Sequence, residues 1–347
     1  MRSDTRGMVA HALLRPREII MRHLGLFVTL LLLAPLWANP GHAQSRDDFP
    51  SRPITWVVPF AAGGGPDLIA RLLSNKVASR LGQPVIVENR PGAGGTMAVA
   101  QVATARPDGY TIVHGTNGTQ GVAQVLYPNL PYKPDRDLIG VTRLTVVPFM
   151  LLVSATSPIM NLQQFVADLK AHPDERTFGT SGVASIPHVA GEELQRVTGT
   201  KARHIPYKGG PPAVLNDLLG GRIDFTIDST TNAVGLVKGG KLRGLAVLTA
   251  APQAFPPDVP TLASIGVHEW NAFGWDAIFV PAGTPRSVIE KLNHAITDAL
   301  KDPEVSKALL DRGLTPMPTT VDETADFLRK DLPRWVEATR RIDIKPE

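Results

Sequence analysis

Short continuous apolar runs and helical apolar stripes take turns along this chain from residue 54 onward. The first run, Ile54, Trp56, Val57 and Val58, has the length of a buried strand. Gly63, Gly64 and Gly65 follow, then Pro66, and from there Leu68, Ile69, Leu72, Leu73, Val77 and Leu81 mark one helical face. A strand, glycine turn and helix in that order place unpaired backbone N–H groups at a helix N-terminus, a favourable place for an anion. Glycine also lets a ligand approach the main chain closely. A tight turn with no ligand satisfies the same pattern.

The alternation continues. A strand at 85–87 leads into a second glycine turn, Gly92 to Gly95, and a small-residue helix at 96–105. The strand at 110–114 runs into a loop bearing hydroxyl and amide groups, Thr116, Asn117 and Thr119. In a parallel sheet this loop and the first glycine turn share the C-terminal edge, where open α/β sheets bind ligands. Residues 138–153 are nearly all apolar, broken by Pro148, and long enough to cross from one domain to another. A second series then begins with a helix at 162–169, a strand at 177–179 and the hydroxyl-rich loop 180–188. Ser185 is its N-cap, and Pro187 lies just inside a helix running to Val197. Residues 212–219 read as a helix stopped by Gly220 and Gly221, and 223–228 as a strand ending in Asp228. Helices close the chain, one at 285–300 with Thr284 as its expected cap and one opened by a Thr320–Glu323 capping box.

Composition refines this picture. The chain has 347 residues, 43% hydrophobic and 20% charged, enough for one large or two ordinary α/β domains. Arg22, the apolar stretch 24–36 and the small residues up to Ala43 describe a secretory signal peptide in 1–43, with an uncleaved anchor as the alternative. Met21 is a candidate start, which leaves Met1 to Ile20 outside the translated protein. Of the 36 basic and 32 acidic residues, five Arg and two acids lie in 1–43, so the remainder carries 31 against 30. The basic character belongs mostly to the leader, and nucleic-acid binding loses its support. The absence of cysteine excludes disulfides, thiolate metal sites and thiol catalysis. Six histidines follow residue 43, none at metal-ligand spacing from another. Three motifs fail on single residues: Met97 breaks a dinucleotide fingerprint, Val183 a nucleophile elbow and Leu242 a P-loop. No cofactor and no metal are therefore expected.

VPFAAGGGPDLIAR, VENRPGAGG, ARPDGYT, LPYKPDRDL, PYKGGPPAVLNDLLGGRIDF, GGKLRGLAV, FPPDVPTLASIG and PAGTPRSVIEKLN occur in one order across 49–342. In this the chain resembles the Bug (Bordetella uptake gene) family, extracytoplasmic solute receptors of tripartite tricarboxylate transporters. The resemblance implies an α/β, two-lobed periplasmic binding protein fold, type II-like, with the ligand cleft between lobes. Lobe one would be 49–147 and 273–347, lobe two 148–272, and the two crossings would be hinges. It also implies that the loop with Phe60, Gly63, Gly64 and Asp67 faces the loop with Thr180, Ser181, Gly182, Ser185 and His188, holding a ligand carboxylate by amides, hydroxyls and waters. Thr116 and Asn117 would form the third loop, and Tyr207 and Asp228, in their own motifs, complete the candidate set. The implied partners are a small carboxylate and membrane transporter subunits, with the receptor a periplasmic monomer. Ala62, Ala184 and Asp276 depart from the family pattern, which weakens any transfer of ligand identity. These loops contain no Arg and only Lys208 lies nearby, so a carboxylate would be held by dipoles rather than a guanidinium clamp. A ligand sensor for a signalling partner would use the same cleft. A hydrolase would need Ser181 or Ser185 with His188 as base and Asp228 as orienter; the loop lacks the elbow that exposes a nucleophile, so no enzyme is expected.

Overall fold

The computed structural model describes residues 49–183, 185–207, 209–249, 259–268 and 272–342. The proposed signal peptide, Ala184 and Lys208 lie outside them. The first apolar run forms β1 (Ile54–Val58), and the glycine turn feeds α1 (Gly65–Leu81), with Pro66 in its first turn and Gly82 in the left-handed conformation ending it. Next come β2 (Val85–Asn89), α2 (Thr96–Ala103) and β3 (Thr111–Thr116). β1 pairs in parallel with both β2 and β3. The chain continues from β3 through Asn117 directly into a wide helical turn at Gly118–Val122 and the short α3 (Ala123–Leu126), so the expected third loop is the end of β3 with Thr116, Asn117 and the start of that turn.

After α4 (Pro134–Asp137), the long apolar run is one strand, β4 (Leu138–Ser154). Its length lets it serve two sheets. The first part pairs antiparallel with β9 (Phe273–Pro281), from Leu138 opposite Pro281 to Pro148 opposite Phe273. The rest pairs antiparallel with β7 (Phe225–Ser229) and β8 (Leu242–Val247). The second sheet is completed by β5 (Thr177–Thr180), which is parallel to β7, and by β6 (Arg203–Pro206), which is parallel to β5. Between these strands run α5 (Leu162–Ala171), α6 (Ile186–Thr198), α7 (Gly210–Leu219) and α8 (Thr230–Lys238). Ser185 caps α6 as expected, accepting from the His188 N–H.

The closing segment holds α9 (Arg286–Leu300), α10 (Pro303–Leu310), the two-residue β10 (Thr315–Pro316) and α11 (Val321–Arg341). Thr320 and Glu323 form the expected capping box. Thr284 does not cap α9. Its hydroxyl donates instead to the Pro281 carbonyl at 2.7 Å, and Pro285 takes the N-cap position. β9 lies between β3 and β4 and is antiparallel to both, which carries the chain back into the first sheet. Val57, Val99, Trp275, Phe279 and Leu328 belong to the core beside that sheet. Phe149, Phe165, Phe178, Leu194 and Phe225 belong to the core beside the second. α11 reaches both: Leu328 joins the first core, Trp335 and Ala338 the second, and Pro333 lies between. The C-terminal turns of α11 therefore pack with residues assigned to lobe two. Among the described residues no helix is long and apolar enough to cross a membrane.

Candidate functional site

Strand register shows where the two sheet edges meet. β3 and β4 are both antiparallel to β9 and so run the same way, and β3 ends with Thr116 opposite Asp276, which is opposite Thr145. β7 runs against β4 and ends with Asp228 opposite Met150 and Ser229 opposite Phe149. The C-terminal ends of the parallel strands in the two sheets thus point toward each other along β4. The stretch from Thr145 to Phe149 separates them, about 13 Å at the usual strand rise. This edge is where loops carry ligands in α/β sheets.

On the first sheet, three loops converge. A Cβ on Gly95 would lie 3.0 Å from Thr119 Cγ2 and 3.1 Å from Pro59 Cβ, so the second glycine turn is seated against the first and third loops. Gly95 has φ +93°, and glycine is needed there for both reasons. In the first loop the Gly63 N–H donates to Asp67 Oδ2 at 2.8 Å, and Gly63 has φ +82°. Asp67 also accepts from Arg71 Nε at 3.0 Å and Asn89 Nδ2 at 2.9 Å. Burial pushes its carboxyl up, but these bonds together hold it below the usual carboxylate value. Asp67 and the Gly63 amide are therefore bonded within the loop. The first helical bond is Leu68 N–H to Gly64, which leaves the Gly65 and Asp67 amides ahead of it without an intrahelical acceptor. An arginine does adjoin this loop, contrary to the sequence expectation, and Arg71 is committed to Asp67 and Asn89. Phe60 is half-buried, Ala62 exposed, and Asn117 buried with no hydrogen-bond partner on Nδ2.

On the second sheet, the Thr180 hydroxyl donates to the Gly182 carbonyl at 3.0 Å and lies 2.6 Å from His204 Nε2. A hydroxyl has one proton, so with Gly182 as its acceptor the His204 N–H is the donor across the shorter contact. His204 stacks on His188 with ring centroids 3.7 Å apart, and burial with the neighbouring His188 brings its pKa down to about 4. Gly182, at φ +133°, has open space where a side chain would point, and Ser181 is half-buried. The Tyr207 ring covers Gly179 and its hydroxyl donates to Asp217 at 2.7 Å; burial and that bond push its pKa up to about 12. Asp228 Oδ1 accepts from the Ser229 N–H at 2.6 Å and Asn232 Nδ2 at 2.8 Å, and burial raises its pKa to about 6. The hydrolase arrangement does not form. Ser185 receives the backbone N–H of His188, not its ring, while the His188 ring stacks on His204 and has Glu192 3.7 Å from Nε2.

The two edges are also joined at one end. Thr230 Oγ1 donates to the Gly313 carbonyl at 2.8 Å, and Gly65, Leu68, Thr231 and Arg312 line a shared cavity of about 50 Å³. Asp276, which departs from the family pattern, is buried in the first sheet. Its carboxyl bonds His114 Nε2 at 2.6 Å and accepts from Thr145 Oγ1 at 2.8 Å, tying β3, β9 and β4 together. Arg71 and Asn89 stand inside motifs that the sequence singled out but had no role assigned there, and His204 stands in none of those motifs.

Two α/β sheets sharing a long strand, with loop-bearing edges opposed, define a two-lobed solute-binding fold. The chain belongs to the tripartite tricarboxylate transporter family of receptors, whose TctC profile, "Tripartite tricarboxylate transporter family receptor", matches residues 69–344. These are receptors, not enzymes. Protein BugT of Bordetella pertussis is 36% identical over 302 residues, 87% of this chain and 92% of that protein. MatC from Rhodopseudomonas palustris, solved with bound malate, is 34% identical with a TM-score of 0.71, covering 84% of this chain and all of that one (100%). Rpa4515 from R. palustris, solved with adipate, is 30% identical with a TM-score of 0.76 over 86% of this chain and 100% of that one.

Proposed function

We propose that this protein is a periplasmic receptor that captures a small organic carboxylate between its lobes and delivers it to membrane subunits of a tripartite tricarboxylate-type transporter. The opposition of the two strand edges along β4 carries this reading. The bound malate and adipate of the two solved relatives support the ligand class. Lobe one comprises 49–147 and 273–347 and lobe two 148–272, with hinges at the crossings near Val147 and Phe273. In this reading the ligand lies between the loop from Phe60 to Asp67, with Thr116 and Asn117, and the loop from Thr180 to His188, with Tyr207 and Asp228. Backbone amides and hydroxyls hold its carboxylate, because Arg71 is already paired. The ligand stabilises the closed form, since its contacts to both edges exist only there.

The test is a thermal-shift titration of the chain lacking 1–43 with malate, adipate and their diamides. A ligand that binds only the native state raises the melting temperature by mass action. The expected result is a shift with an acid and none with its diamide. Equal shifts with acid and diamide, or none with either acid, would overturn the carboxylate reading.

A further inference from the structure

Strand β2 makes no part of the ligand loops, yet its last residue reaches into the first of them. Asn89 pairs with Val58 at the end of β1, and the Arg90 N–H donates to the Val58 carbonyl at 2.8 Å. That register fixes the Asn89 backbone two residues from Phe60. Its side chain then uses both ends. Nδ2 donates to the Phe60 carbonyl at 3.1 Å and to Asp67 Oδ1 at 2.9 Å, while Oδ1 accepts from Arg71 Nη2 at 2.9 Å. Asp67 in turn holds the Gly63 N–H and Arg71 Nε. One carboxamide thus links the start of the loop, its glycine turn and the first turn of α1.

We infer that Asn89 is the positioning residue of the Phe60–Gly64 loop, setting the backbone that receives the ligand without touching the ligand itself. The inference rests on the receptor reading above for its effect on affinity. The chemistry selects asparagine. Aspartate would still accept from Arg71 but has no N–H for the Phe60 carbonyl, and it would set a second carboxylate against Asp67. Alanine would leave the Phe60 carbonyl and one side of Asp67 without their donor. Five alanine and glycine residues in a row, Ala61 to Gly65, have no long side chain to replace that restraint. The loop would then sample many backbone states, and the ligand would have to select the competent one.

The experiment compares wild type with Asn89→Ala and Asn89→Asp in the chain lacking 1–43. Two readouts are taken: calorimetric titration with malate and adipate, and amide hydrogen exchange resolved over residues 61–65, β1 and α1. Leaving the half-buried Phe60 carbonyl unpaired corresponds to roughly a tenfold loss of affinity for whichever acid wild type binds. Exchange at 61–65 is expected to quicken about tenfold or more, with the interiors of β1 and α1 as protected as before. A merely structural role would raise exchange across the whole fold and leave affinity in the folded protein alone. Unchanged exchange at 61–65 would overturn the inference, as would wild-type affinity in both variants. If wild type binds neither acid, the ligand reading fails, and the exchange result still decides the role of Asn89.

Discussion

Asp228→Asn should make the protein more stable at neutral pH and remove a brake on its acid sensitivity. Asp228 is buried and its pKa is raised from 3.8 to about 6. The native state therefore binds this proton more tightly than the unfolded chain. Its favourable contribution is complete below pH 3.8 and is lost as pH rises through about 6. At 1.36 kcal/mol per pH unit, the ionised group costs about 3 kcal/mol at pH 7. His204 works the other way. Its pKa falls from 6.5 to about 4, so its contribution is present above pH 6.5 and lost as pH falls toward 4. That contribution is about 2–3 kcal/mol, reduced by the partial exposure of the ring. Between pH 4 and 6 the two slopes oppose and nearly cancel. Asparagine can accept the same bonds from Ser229 and Asn232, so the substitution removes the charge and keeps the geometry. Urea unfolding at pH 7, 6, 5 and 4 should show the variant more stable than wild type by about 3 kcal/mol at pH 7, with the gap closing to near zero at pH 4. A gap that does not change with pH, or a variant less stable at pH 7, would refute the assignment of an uphill buried carboxylate.

Asp276→Ala removes the shared partner of His114 and Thr145; urea unfolding should register a loss on the order of 2–3 kcal/mol, and a loss below about 0.5 kcal/mol would show those bonds to be dispensable. Gly115→Ala would place a Cβ against the Phe279 ring in the closely packed first sheet, and its unfolding midpoint should fall by an amount corresponding to about 1–3 kcal/mol. Thr320→Ala opens the capping box at the start of α11, and the same assay should give about 1 kcal/mol, since Glu323 loses its reciprocal partner at an exposed helix end.

What could be read from the sequence follows the range of the interactions involved. The first strand, glycine turn and α1 were legible because a run of consecutive apolar residues changes to helical spacing at Pro66. The Ser185 cap and the Thr320–Glu323 box were legible because both partners lie within three residues. The cap assigned to Thr284 failed because the helix begins one residue later, with Pro285 at the N-cap position. The Thr284 hydroxyl found the Pro281 carbonyl, and proline supplied the fixed φ that starts the helix. α10 was missed although Asp302 before Pro303 is a helix-start signal, and Asp302 does accept from the Glu304 and Val305 amides.

The longer-range features left weaker traces. Antiparallel β9 lies between β3 and β4, and no local pattern distinguishes it from one more parallel strand; its place depends on pairing across more than a hundred residues of chain. Asp276 could be seen as a departure from the family pattern, but its reason required two partners brought from β3 and β4. Asn89 is the sharper case. Its motif was visible, yet a carboxamide joining a carbonyl, a carboxylate and a guanidinium can be found only once β1 and β2 are in register. The opposition of the two edges had one trace in the sequence, the length of the apolar run at 138–153. A strand of 17 residues is too long for one ordinary sheet edge, and pairing it antiparallel with β9 along one part and with β7 along the rest makes the C-terminal ends of β3 and β7 converge. The ligand site is thus a consequence of β4 register, and the loops that the sequence singled out are placed by it.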